Sequence, residues 1–133
     1  MPDKIPRAVV GAIIFNKSNE VLLIRSSGKF GSQWIVPGGK IDWGESIEPA
    51  LRREIKEETN LDITDISFKG VRELIEPSRH FIFLEHTCRT VNENDVVLNS
   101  ESTEFGWFNK QGLGKLDIAR PTVELLNRCG VLS

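Results

Sequence analysis

Tyrosine is missing from this 133-residue chain, and cysteine occurs only twice. Cys88 and Cys129 form no CxxC pair and stand beside no paired-histidine motif. That pattern excludes a zinc module and a disulfide-stapled scaffold, and both residues read as reduced thiols. A surplus of charge of one sign is lacking too. A formal net charge of -2 provides no bulk field for nucleic acid or an anionic membrane, so a polyanion bound here has to meet local positive charge or a bound ion. No apolar run approaches the length that crosses a bilayer. Residues 1–6 are mostly polar, carry two prolines and do not resemble a signal peptide. The expectation is a cytoplasmic protein in a reducing compartment. An apolar fraction of 39% excludes a disordered chain, and the length fits one domain over 1–133 with its own core.

What is present reads as alternating strands and helices. Residues 7–15 are an almost continuous apolar, β-branched run, a buried strand. The polar turn 16–19 leads into a second strand at 20–25, which predicts a hairpin. Residues 26–32 are rich in glycine and serine and read as a loop, and 34–36 as a short strand ended by Pro37. Further strands are expected at 68–74, 80–89 and 104–108, with a polar loop over 91–103. Ser46 is a good N-cap for a helix that has Pro49 in its first turn and stops at Asn60, a residue that tolerates the left-handed conformation. A second helix is marked by Pro121 inside its start and Gly130 past its end. The fold class is α/β, a mixed sheet with two main helices.

The first of these helices carries the chemistry. Glu54, Glu57 and Glu58 stand at i, i+3 and i+4 and share one face, where like charges destabilise the helix by a few tenths of a kcal/mol per pair (~0.2–0.5). A hard divalent cation reverses the sign of that cost, because it binds oxygen ligands. At about 100° per residue, Ile47, Leu51 and Ile55 make an apolar stripe. Glu54 and Glu58 interleave with it, Glu57 and Ala50 border it, and Arg52, Lys56, Thr59 and Asn60 occupy the far side. A merely solvated helix keeps its glutamates away from such a stripe. Gly38 and Gly39 just ahead permit a backbone turn and a close approach of ligand or ion to the main chain. Glu45 and Arg53 are placed to pair between loop and helix.

Residues 39–61 resemble the Nudix box: Gly39, Glu45, Arg53, Glu54, Ile55, Glu57, Glu58 and Leu61 stand at the positions of that signature. One residue departs from it, Asn60, where the family has glycine. The apolar strand pair before the box, Trp34 leading to 37–39, and residues 101–108 after it extend the resemblance over nearly the whole chain. The resemblance implies a Nudix-type α/β/α sandwich and hydrolysis of a nucleoside diphosphate linked to another moiety, by water attacking phosphorus. It implies Mg²⁺ as cofactor, with Mn²⁺ able to replace it, held by Glu54, Glu57, Glu58 and the Gly39 carbonyl. Glu54 is the favoured general base, with Glu101 and Glu104 as loop alternatives. Glu57 belongs to the catalytic set as well, and Glu45 and Arg53 support it as an ion pair.

Outside the box, Arg25 and Arg79 are candidate phosphate contacts, since arginine matches phosphate oxygens bidentately, and Glu104 is counted with them. Phe30, Trp34 and Trp43 are candidates for base stacking, although core packing is the preferred use of Trp34. The missing tyrosine speaks against dinucleoside polyphosphates, a family cue, and Pro77 points weakly to ADP-ribose. The expected partner is therefore a nucleotide-type small molecule: ADP-ribose, a nucleotide sugar or a (d)NTP. A homodimer is left open by the resemblance. The competing reading is a non-catalytic, nucleotide-binding regulatory module. Intact box glutamates, and no stretch of this sequence left over for a helix-turn-helix, favour the enzyme.

Overall fold

The computed structural model describes residues 4–26 and 32–132; Phe30 and most of the expected 26–32 loop lie outside them. A seven-stranded mixed sheet is built from β1 (Arg7–Phe15), β2 (Val21–Arg25), β3 (Trp34–Ile35), β4 (Gly38–Lys40), β5 (Ile63–Glu76), β6 (Arg79–Thr90) and β7 (Glu104–Phe108). Helix α1 (Ile47–Thr59) follows β4, while α2 (Lys110–Leu113) and α3 (Arg120–Arg128) follow β7. The near-continuous apolar character of β1 comes from burial on both faces. Val10, Ala12 and Ile14 pack with Ala50, Leu51 and Ile55 of α1, whereas Ile13 packs with Trp34, Leu125 and Leu126 on the α3 side. That alternation is the α/β/α sandwich in a single strand.

The expected hairpin between β1 and β2 forms, then opens. Its turn is closed by Asn16, whose side-chain oxygen accepts from the backbone of Ser18 and Glu20. The two strands pair only at Phe15 with Val21. Beyond that pair they diverge, and residues 34–40 fill the wedge: β3 pairs with β2, and β4 pairs with β1 through Gly38 opposite Gly11 and Gly39 opposite Val10. On its other edge β1 runs parallel to β6, from Arg7 with Phe81 to Phe15 with Arg89. Strand β7 lies antiparallel to β2, and β5 forms the outer edge against β6.

Three local expectations are corrected. Gly38 and Gly39 form a short strand, not a turn; the turn comes later, with Gly44 at φ 84°. Strand β5 begins at Ile63, five residues before the expected start, because irregular pairing near Asp65 (φ 53°) and Gly70 (φ 135°) breaks its alternation. The short helix α2 was not expected. Gly112 within it hides the signal, but the Asn109 side chain caps it by accepting from Gly112 N at 2.8 Å. The long helices end as anticipated, with Asn60 at φ 68° after α1 and Gly130 at φ 76° after α3. Ser46 does occupy the N-cap of α1, yet its hydroxyl makes no capping bond. No helix among the described residues is long and apolar enough to cross a membrane.

Candidate active site

The site forms where α1 crosses β4 at the open wedge of the sheet. Its outer half is an ion-pair clamp. Arg53 donates from Nε to Glu45 Oε2 at 2.6 Å and from Nη2 to Glu45 Oε1 at 2.8 Å, a bidentate fork. The same guanidinium reaches the Lys40 carbonyl at 3.1 Å and Glu57 Oε1 at 3.1 Å. Glu45 also accepts from the Asp42 backbone N–H at 3.0 Å. The Arg53 hydrogen bond, then that backbone bond, hold the Glu45 carboxyl down at about 2. In return Glu45 raises the proton affinity of Arg53. The loop and the helix are thus locked together by groups that satisfy one another.

The inner half is different. Glu58 is 9% exposed, and its Oε1 accepts from Gly38 N at 2.7 Å. Burial pushes its carboxyl up to about 8 despite that bond, and the charges of Glu54, Glu101 and Glu57 add to the shift. Burial likewise raises Glu54, only partly offset by Arg53. The Glu54 carboxylate lies so close over Gly39 that a methyl group there would overlap it. A methyl at Gly38 would instead strike the Val10 carbonyl across the strand pair. The two glycines are therefore required for close approach and not for an unusual φ. Hard oxygen donors with more negative charge than their surroundings balance are a donor set that fits a divalent cation. Among the described residues, no three His, Cys, Asp or Glu side chains gather closely enough to hold an ion by themselves.

Glu54 and Glu58 line a cleft of about 640 Å³ that also takes in Glu101, Arg79, Phe81 and Phe83. A domain model described as "NUDIX domain" matches residues 5–128 of this chain. The chain belongs to the Nudix family. It is 32% identical over 139 residues to the nucleoside triphosphatase NudI of Enterobacter sp. (strain 638), covering 95% of this chain and 98% of that protein. Its fold matches a MutT NUDIX hydrolase from Burkholderia pseudomallei with a TM-score of 0.83, at 24% identity and over 94% and 98% of the two chains. The NUDIX domain of Shewanella oneidensis NrtR, solved with ADP ribose, superimposes with a TM-score of 0.82 at 19% identity, over 96% and 88% of the chains. The family match and the 32% identity to that triphosphatase, nearly full-length in both partners, make the chain a Nudix hydrolase.

Within this Nudix fold the predicted residues separate. Glu45, Arg53 and Glu57 are joined through one guanidinium, and Glu54 and Glu58 face the glycines. Glu57 lies farther from the core than the helical wheel implies, its side chain 54% exposed. Ile47 is exposed as well, whereas Thr59, expected on the far side, is fully buried and bonds back to the Ile55 carbonyl at 2.6 Å. The chain packs over the end of α1 there, so that the helix buries a wider arc than its apolar stripe. Arg25 and Glu104, directly opposite each other on β2 and β7, pair at 2.6 Å. Arg79 lines the cleft from the start of β6 and pairs with Glu76. Trp34 is buried in the core, as preferred, and Trp43 is fully exposed away from the cleft lining.

The cleft wall opposite the box was missed by sequence reading. Arg79, Phe81, Phe83 and Glu85 line it from β6, and Arg72 joins them from β5. Buried Glu85 is held by Arg72 at 2.8 Å and Arg128 at 2.9 Å, which ties the β5–β6 pair to α3. The signal was there: the four β6 residues recur at every second position, which puts them on one face of a strand. The sequence places a strand at 80–89 with Arg79 at its start, and which of its faces meets the cleft depends on the pairing with β1.

Proposed function

We propose that this Nudix hydrolase is a divalent-cation-dependent pyrophosphohydrolase of nucleoside triphosphates, with Mg²⁺ as the ion and Mn²⁺ able to replace it. The observation that carries this reading is the cleft itself. On one side of β1 the cleft is lined by Glu54 and Glu58 of α1 together with Glu101, and on the other side by Phe81 and Phe83 of β6. A nucleotide has two matching parts, a polyphosphate that needs a cation and a flat base that needs an aromatic wall. Full-length likeness to a nucleoside triphosphatase favours a triphosphate over the ADP-ribose and nucleotide-sugar alternatives.

Glu54, Glu57, Glu58 and the Gly39 carbonyl are the proposed ion ligands, water and substrate phosphate completing the sphere. When bound, the ion screens the phosphates and stabilises the leaving oxygen. Glu54, whose proton affinity burial raises, takes the proton of the attacking water as its oxygen bonds to phosphorus and the bridging P–O bond breaks. Glu101, whose charge acts on both Glu54 and Glu58, is the alternative base. Arg53 and Glu45 hold the helix and loop in register, and Arg79 is proposed to meet the substrate from the β6 side of the cleft.

The test is product release from a panel of nucleoside triphosphates, ADP-ribose and a nucleotide sugar in Mg²⁺. Triphosphates are expected to turn over fastest, yielding a monophosphate and pyrophosphate or a diphosphate and phosphate. Preferred cleavage of ADP-ribose would overturn the substrate class, and tight binding without turnover would restore the regulatory reading.

A further inference from the structure

The residue that departs from the Nudix signature makes a contact that glycine cannot. Asn60 has the left-handed φ of 68° that the position requires, and its Nδ2 donates to the Asp95 carbonyl at 3.0 Å. Asp95 lies in a short 3₁₀ turn, Glu93–Asp95, within the 91–103 loop. Two neighbouring bonds reinforce this tie: Val97 N donates to the Thr59 carbonyl at 3.0 Å, and Asp62 N donates to Asn92 Oδ1 at 3.2 Å. At the other end of the loop, Thr103 N donates to the Arg25 carbonyl at 2.9 Å, next to the Arg25–Glu104 pair. Between these anchors, Glu101 and Ser102 line the cleft beside Glu54 and Glu58.

We infer that Asn60 is a positioning residue, whose side-chain amide pins the 91–103 loop to the end of α1 so that Glu101 stands at the acidic end of the cleft. The inference rests on the hydrolase reading above, because it assigns Glu101 a part in turnover. Arg25 and Glu104 secure the other end of the same loop, which explains why they pair with each other. The backbone bond from Val97 to Thr59 survives any change at residue 60, so loss of the amide loosens the loop without freeing it.

Asn60→Gly is the informative variant, since glycine adopts the left-handed conformation readily and the fold is expected to hold. Asn60→Asp keeps the shape and removes the donor. Both should lower kcat about tenfold, the lower range for groups that orient others in metal sites, with KM little changed. In a double-mutant cycle, Asn60→Gly and Glu101→Gln should be non-additive, because one acts through the other. Amide hydrogen exchange should quicken across 92–102 in Asn60→Gly. Wild-type kcat in Asn60→Gly, full additivity with Glu101→Gln, or unchanged loop exchange would each overturn the inference. Wild-type protein inert on every nucleotide would instead overturn the hydrolase reading, and the exchange experiment would still decide whether the amide pins the loop.

Discussion

The two halves of the box use one residue type for opposite ends. In the outer half, Glu45 meets a two-pronged arginine and a backbone N–H, and its proton affinity drops. In the inner half, Glu58 has one backbone N–H and crowding acidic neighbours, and its proton affinity rises. A carboxylate that is already satisfied builds structure. One that folding leaves short of positive charge can bind an ion. The difference lies in where each stands, Glu45 in the loop ahead of α1 and Glu58 buried on its last turn, as the signature makes no distinction among its glutamates.

The inner half should respond most strongly. Glu58→Gln and Glu54→Gln are expected to lower turnover by about 10²–10⁴-fold and to abolish any rise in Tm caused by Mg²⁺. The ion-free Tm should stay level or increase, since a neutral isostere carries no buried charge. A large ion-free loss of Tm would break the comparison by making these residues structural.

Next come the glycines, which separate the two roles side by side. Gly39→Ala displaces the Glu54 carboxylate and should lower kcat about 10–100-fold with a small effect on folding. Gly38→Ala drives into the backbone of β1, and urea unfolding should show a loss of about 1–3 kcal/mol.

The clamp should show a milder, pH-shaped effect. Arg53→Lys loses the fork and should lower kcat about tenfold. Glu45 has a folded-state proton affinity below its unfolded value of 4.5, so its stabilisation is present above that pH and is lost as pH falls toward about 2. Acid titration of Glu45→Gln should therefore be shallower than wild type in that window and converge with it below. Smallest of all, Glu104→Gln removes half of an exposed pair. It should cost under about 1 kcal/mol and leave KM for nucleotide unchanged, whereas a raised KM would return Glu104 to the substrate.

Much of this was legible in the chain because it depends on short-range spacing. The box follows from helical spacing, the stop at Asn60 from a residue type that tolerates the left-handed conformation, and the buried β1 from its continuous apolar run. What escaped depends on partners distant in sequence. Arg25 appeared free because Glu104, its opposite number, enters only when β7 pairs with β2. Thr59 appeared exposed because the 91–103 loop that covers it, through the bond from Val97 N to the Thr59 carbonyl, comes much later in the chain. The helical wheel places Leu51, Ile55 and Glu58 inward, as found, and knows nothing of what packs over the helix end.

The parallel match of β1 to β6 also sets an order in time. During synthesis the apolar run at Arg7–Phe15 emerges before the strand it lies along, from Phe81 to Arg89, which follows only after α1 and β5 have been made. Non-local pairing of this kind is slow to close. Until then the strand destined for the centre of the sheet is the stickiest segment of a nascent chain. Aggregation on fast expression should therefore start at this strand, even though Val10, Ala12, Ile13 and Ile14 are fully buried in the finished molecule.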